Sequence, residues 1–172
     1  MSARFDLITI DTADTECLAT FWCAALGLHV SQREDDDRWI VLSTADGGTT
    51  WVTRYRGTRH AELGWKVTFS SARVGYVSIQ PFHDGARYFL KTTDGGNTWH
   101  DKVFTTDDYD AQGIGFVTDT HGWIGGRGTG TYETYDGGET WHTNPSVGTN
   151  VNRFRLTRDG VVYAIGETVS RY

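Results

Sequence analysis

Hydrophobic and polar residues alternate along most of the chain, in short runs that predict β-strands. Beyond residue 62, glycine and aspartate turns separate these runs, which predicts hairpins between neighbouring strands. The segments that carry the pattern are GWKVTFSSARVGYVSI, RYFLKTTDGGNTW, IGFVTDTHGWIGG, YETYDGGETW and VNRFRLTRDGVVYAIGETV. The pattern therefore predicts a mainly β fold.

A helical pattern interrupts the strands near the N-terminus. After the alternating segment DLITIDTAD, the run TECLATFWCAALG predicts a helix with Asp14 or Thr15 as N-cap and Gly27 as its stop. Its apolar face comprises Leu18, Phe21, Trp22, Ala25 and Leu26. The segment LHVSQREDDDRWIVLST then predicts two strands about an acidic turn. The predicted order is strand, helix, strand, strand.

One motif, Thr-x-Asp-x-Gly-x-Thr-Trp, occurs three times, and we call each copy a box. The first box contains Thr44, Asp46, Gly48 and Trp51, the second Thr92, Asp94, Gly96 and Trp99, and the third Thr134, Asp136, Gly138 and Trp141. Successive box aspartates are 48 and 42 residues apart, and periods of roughly 40–50 residues are typical of repeats such as propeller blades. An aspartate can accept backbone N–H groups within a turn, and glycine supplies positive φ. We therefore predict that the boxes are structural turns covered by their tryptophans.

The boxes and their flanking strands resemble those of Asp-box, or BNR-repeat, β-propellers. The region 62–172 is similar to the closing blades of bacterial Asp-box propellers of the photosystem II assembly-factor type. The resemblance implies four-stranded blades, about three in number with the last incomplete, and places each box between a third and a fourth strand. It also implies a non-catalytic binding or assembly module that engages a protein partner.

The region 4–56 resembles half of a glyoxalase-like module of the vicinal oxygen chelate family, through ITIDTADTECLATFWCAALGLHV and DDDRWIVL. The resemblance implies, as an alternative function, a glyoxalase- or dioxygenase-type enzyme. Its metal ligands would be a histidine at or next to Leu7 and a carboxylate around Thr53 and Arg54. Neither ligand is present, so the sequence predicts no metal and no other cofactor.

The same N-terminal residues have a second interpretation, as a first blade in which ITIDTADTECLA aligns with VTFSSARVGYVS. This alignment turns FWCAALGLHVSQREDDD into one long apolar loop, which is uncommon in compact domains. The helix is therefore favoured. We predict a glyoxalase-like segment, or a first blade, at 1–56 and propeller blades at 57–172.

A third function class is a sialidase-like protein that binds or hydrolyses glycans, because Asp boxes occur in such enzymes too. Such chemistry needs a Tyr-Glu nucleophile pair and an arginine cluster. The residue types are offered by Tyr132, Glu133, Tyr135, Arg153 and Arg155. The Arg-Ile-Pro signature of that family is missing, and the surroundings read as outer strands beside a box. The non-catalytic module remains the favoured function.

The charge and hydropathy of the chain disfavour some classes of partner. The formal net charge is −6, which disfavours nucleic-acid binding. No apolar window approaches the length of a membrane span, and the first residues lack a signal-peptide pattern, so the chain as written is predicted to be cytoplasmic. If Cys17 and Cys23 lie on one helix, they are about 9 Å apart along its axis, which is too far for a disulfide. Open edges of incomplete blades predict a homo-oligomer.

Overall fold

A computed structural model of the chain describes residues 15–26, 28–34, 39–44, 53–57, 59, 62–81, 85–127, 130–157 and 160–172. All statements on structure below refer to these residues. They contain one α-helix and thirteen β-strands. The helix is much shorter than a bilayer requires, and within these ranges no helix is long and apolar enough to cross a membrane.

The N-terminal part contains the predicted helix and hairpin. Helix α1 spans Thr15–Leu26, and strands β1 (Leu28–Glu34) and β2 (Trp39–Thr44) pair antiparallel. These elements confirm the helix and the two strands after it. The predicted opening strand falls outside the described residues, as do the side chains of Phe21, Ala25 and Leu26. Of the first box, Thr44 ends β2, whereas Asp46, Gly48 and Trp51 lie outside the described residues.

The rest of the chain forms three antiparallel sheets, each a meander in chain order. The first sheet comprises β3 (Glu62–Phe69), β4 (Gly75–Pro81), β5 (Arg87–Thr92) and β6 (His100–Thr105). The second sheet comprises β7 (Asp110–Phe116), β8 (Gly122–Arg127), β9 (Thr131–Thr134) and β10 (His142–Asn144). The third sheet comprises β11 (Arg153–Leu156), β12 (Val162–Ile165) and β13 (Val169–Arg171). The predicted mainly β class with blade-type sheets is confirmed.

The main core lies between the first and second sheets. Tyr76 stacks on Phe116 with ring centroids 3.5 Å apart and planes only 3° from parallel. Phe89 of the first sheet meets Trp141 of the second edge-on. Tyr76 pairs with Lys91 across β4 and β5, and Phe89 lies two residues before Lys91, so both rings face the joint. Aromatic burial thus holds these two sheets face to face.

Glycines lie where the second and third sheets pack against each other. Trp123 stacks beside Phe154 at a centroid distance of 6.1 Å. A Cβ on Gly115 would lie 2.4 Å from Cβ of Phe154, and a Cβ on Gly125 would lie 2.4 Å from the carbonyl oxygen of Val151. Glycine is therefore required at both positions for the backbones to pack at this distance.

The segments before the first sheet contact its outer face. Trp22 of α1 meets Phe69 of β3 edge-on, with ring centroids 5.3 Å apart. The Arg59 guanidinium lies 4.1 Å from the ring centroid of Tyr88 and forms a 2.6 Å ion pair with Asp101. These contacts attach part of the N-terminal region to the face turned away from the second sheet.

Candidate functional site

The second box lies between β5 and β6 and forms a closed hydrogen-bonded turn. Asp94 Oδ1 accepts from the Thr98 backbone N–H at 2.9 Å and from the Thr92 hydroxyl at 2.8 Å, and Oδ2 accepts from the Thr98 hydroxyl at 2.6 Å. The indole of Trp99 donates to the carbonyl of Gly96 at 3.1 Å. Gly96 has a φ of 87°, which favours glycine.

The third box repeats this geometry between β9 and β10. Asp136 accepts from the Thr140 backbone N–H, the Thr140 hydroxyl and the Thr134 hydroxyl at 2.9, 2.6 and 2.8 Å. Trp141 donates to the carbonyl of Gly138 at 3.2 Å. Each carboxylate therefore bonds within its own turn, and we propose that the two boxes act in folding and not in binding.

The box hydrogen bonds predict an acid-sensitive stability. Hydrogen bonds from Thr98, and then from Thr92, lower the pKa of Asp94 to about 2, against about 3.9 for an unfolded aspartate. The folded pKa is the lower one, so this stabilisation is complete above about pH 4 and is lost as the pH falls toward 2. We expect Asp94→Asn to lower the melting temperature at pH 7, and the difference from wild type to shrink toward pH 2.

Circular dichroism melts of both proteins between pH 7 and pH 2 measure this effect. A difference that stays constant over that range would contradict the role of the charged carboxylate. Binding per folded molecule should be unchanged in Asp94→Asn. Lost binding at unchanged melting temperature would instead make the box a site.

The residues of the sialidase-type hypothesis are not gathered at one place. Tyr132 faces the first sheet, where its hydroxyl donates to Asp107 and its ring meets Phe104 edge-on. Its neighbour Glu133 points to the opposite face of β9, toward the third sheet, as strand alternation requires. On β11, Arg153 and Arg155 alternate with the inward-facing Phe154. The structure brings only Glu133 and Tyr135 of this group to one cavity.

That cavity is a cleft of about 290 Å³ between the second and third sheets. Its apolar floor is formed by Trp123, Phe154 and Ala164. Its polar wall is formed by Glu133, Tyr135 and Asn144. An apolar surface with a few convergent polar groups is the usual character of a binding pocket.

Glu133 is the buried charge of this cleft. Its Oε1 lies 2.9 Å from His121 Nε2, and its Oε2 accepts from the Asn144 amide at 2.6 Å. Burial by itself raises the pKa of Glu133, but hydrogen bonds from His121, Asn144 and Tyr135 outweigh it and lower the pKa. The side chain is therefore a carboxylate at neutral pH.

Aromatic rings pack against one another at the opening of the cleft. The His121 ring stacks on Tyr135 at a centroid distance of 4.4 Å and meets Tyr172 edge-on at 5.1 Å. Trp123 contacts the same imidazole at 4.4 Å. The imidazole thus holds the two tyrosines that flank the opening. His121, Asn144 and Tyr172 were not predicted as site residues, and the sequence carries no local motif that links them to Glu133.

Beside the cleft, β13 has one hydrogen-bonding edge turned away from β12. The Tyr172 N–H donates to the Val162 carbonyl at 2.9 Å, and the Val162 N–H donates back. Since antiparallel residues alternate, Ser170 also bonds toward β12, whereas the backbone groups of Val169 and Arg171 point outward. In the ranges that the structure covers, no strand pairs with this outer edge.

A second cavity, of about 400 Å³, lies on the outer face of the first sheet. It is lined by Ile79, Leu90 and Tyr55, with Glu62 hydrogen-bonded to the Tyr88 hydroxyl. The described side chains include no group of three or more histidine, cysteine, aspartate or glutamate residues that could hold a metal ion.

The described chain is a mainly β protein whose antiparallel four-stranded meanders have the architecture of propeller blades. Its N-terminal region carries a second likeness, because residues 7–75 match the family model of the glyoxalase-like domain. This match confirms the resemblance predicted for 4–56 and extends it across β3 to the first residue of β4.

Two solved structures of YCF48 are similar to the chain. One, YCF48 bound to D1 peptide, has a TM-score of 0.47 and 20% identity, over 64% of this chain and 38% of that one. The other, YCF48 from Cyanidioschyzon merolae, has a TM-score of 0.43 and 20% identity, over 64% and 37%. The chain thus spans less than two fifths of either structure. A comparison with curated proteins gave no match.

Proposed function

We propose that the chain is a non-catalytic, β-propeller-type binding or assembly module that engages an extended segment of a protein partner. One observation carries the proposal: the outer edge of β13 lies directly beside the cleft between the second and third sheets. Ser170, Arg171 and Tyr172 of this edge line the cleft on one side, and Asn144 at the end of β10 lines it on the other.

An open edge next to a pocket suits recognition by strand addition. In that mode, main-chain hydrogen bonds to the edge give affinity, and pockets for alternate side chains give specificity. Outward backbone groups of Val169 and Arg171 supply the hydrogen bonds.

The chain divides in this proposal into a segment at 1–56 and a binding unit of blades at 57–172. The glyoxalase-type alternative is not favoured, since the ligand positions around Leu7, Thr53 and Arg54 carry no ligand. Homo-oligomerisation through open edges remains a prediction, and light scattering on the purified chain measures it.

Val169→Pro tests the proposed edge. Val169 is 69% exposed, and its N–H points away from β12, so proline there removes an outward donor without breaking the β12–β13 ladder. We expect peptides selected on the wild-type chain from a random phage-displayed library to bind Val169→Pro at least about tenfold more weakly. Fluorescence anisotropy with the labelled peptides gives the affinities.

Val169→Ala is the matched control, since it removes the same side chain and keeps the N–H. It should bind like wild type, and both variants should melt close to the wild-type temperature. If no peptide is enriched on wild type, or if enriched peptides bind Val169→Pro unchanged, the edge is not the binding surface and the proposed function is wrong.

A further inference from the structure

We propose that the partner segment carries a lysine or arginine whose cationic end is bound by Glu133 in the cleft. The inference rests on the proposed function, because it names the chemistry that a strand on β13 would present there. It concerns the identity of one side chain, and its test distinguishes a wrong side chain from a wrong binding edge.

The alternation of the third sheet directs side chains of an added strand into the cleft. Phe154, Ala164 and Ser170 are paired across the three strands and face the second sheet together. A strand paired with β13 would place every second side chain on this same face. At the level of Ser170 and Tyr172, such a side chain enters the space opposite Glu133.

Glu133 has room for one more hydrogen-bond donor. A carboxylate can accept about four hydrogen bonds, and three donors already engage Glu133: His121, Asn144 and Tyr135. None of the three is a lysine or arginine. A buried carboxylate gains most from a cation brought into the same low-dielectric space, and the nearby aromatic faces also favour a cation.

In the joint between the first and second sheets, the residue equivalent to Glu133 is Lys91, which is a hydrogen-bond donor and not an acceptor. Lys91 precedes the second box as Glu133 precedes the third, and each pairs with the residue after the glycine that begins its neighbouring strand, Tyr76 or Trp123. The Lys91 ammonium reaches across the joint and donates to the Gly137 carbonyl at 2.8 Å. Glu133 occupies the equivalent place as an acceptor, so its remaining acceptor capacity suits a donor from the occupant of the cleft.

The charge of the chain favours a basic segment. The chain carries a formal net charge of −6, so a segment with a basic residue is attracted to it. Exposed Arg171 lines the rim of the cleft and opposes further positive charge there. The expected segment therefore has one basic residue between apolar or hydroxyl residues, and not a basic cluster.

Paired selections test the inference. The same phage library is selected on the wild-type chain, on Glu133→Gln and on Glu139→Gln, which removes an exposed carboxylate elsewhere and matches the change in net charge. We expect lysine or arginine to be enriched at one position on wild type and on Glu139→Gln but not on Glu133→Gln. Replacing that lysine by norleucine in the selected peptide should weaken binding to wild type at least about tenfold and to Glu133→Gln less than about twofold.

The outcomes separate the two proposals. If peptides depend on Val169 but show no basic enrichment, or if the norleucine peptide binds wild type equally well, the role of Glu133 is wrong and the proposed function stands. If no peptide depends on Val169, the proposed function fails and this inference fails with it. If light scattering shows a dimer that Val169→Pro converts to a monomer, a second copy occupies the edge and the basic partner is wrong. The norleucine comparison on wild type needs no altered chain, so a misfolded variant cannot hide the answer.

Discussion

Replacing Gly126 by alanine is expected to destabilise the chain by about 3 kcal/mol or more, the largest effect of any single methyl group we consider. A Cβ on Gly126 would lie 1.9 Å from the carbonyl oxygen of Asp110 and 3.0 Å from Cα of Ala111. Both contacts are backbone, so no side chain can rotate away. To relieve them, β7 and β8 must separate at the register shift between Ala111 and Gly113.

Urea unfolding followed by tryptophan fluorescence measures the loss. Gly64→Ala is the matched control, because Gly64 also lies at a register shift, in β3. A Cβ there would meet only a Val77 methyl at 3.6 Å, an ordinary contact. Gly64→Ala should change the free energy of unfolding by less than about 1 kcal/mol. Equal midpoints for the two variants would show that β7 and β8 are not this close.

Phe116→Ala is expected to cost about 3–5 kcal/mol, as is usual when a fully buried aromatic side chain is truncated. The Phe116 ring has no exposed surface, stacks on Tyr76 at 3.5 Å and meets Trp141 edge-on at 6.2 Å. Removing it leaves a cavity where the first and second sheets join. The walls of this cavity belong to both sheets, so the joint should loosen before either sheet unfolds.

Two probes distinguish a loosened joint from general destabilisation. Far-ultraviolet circular dichroism follows the strands, while near-ultraviolet circular dichroism follows the packing of the aromatic rings, and the two should cease to coincide in Phe116→Ala. Val103→Ala provides the control, since Val103 is 55% exposed and should cost less than about 0.5 kcal/mol. A loss below about 1 kcal/mol in Phe116→Ala would mean that the sheets do not depend on this stack.

The elements that the sequence predicted depend on contacts between near neighbours. The hydrogen bonds of the second box join Thr92, Asp94 and Thr98, which lie within seven residues of one another. The helix likewise follows from the spacing of apolar residues and from its end signals. Such contacts form within one turn or one hairpin, so the motif predicts them without knowledge of how the sheets stack.

The cleft could not be predicted in this way. His121 is 12 residues from Glu133 in the sequence, and Asn144 is 11 residues from it. The three side chains come together only through the pairing of the strands and the contacts between their side chains. The sequence grouped Glu133 with Tyr132 because they are adjacent, yet adjacent strand residues face opposite ways. Strand alternation shows which residues share one face of a sheet. Which other sheet that face contacts depends on how the sheets stack.

Lys91 is a hydrogen-bond donor and Glu133 is an acceptor at equivalent positions. This difference affects which of the two sheets could be duplicated in tandem. If the second sheet were duplicated in tandem, Glu133 of one copy would meet the Gly137 carbonyl of the next, and two acceptors would oppose each other across a buried joint. A duplicated first sheet would encounter no such conflict, since Lys91 is a donor. The polarity of this one side chain thus favours one order of the two sheets over the other.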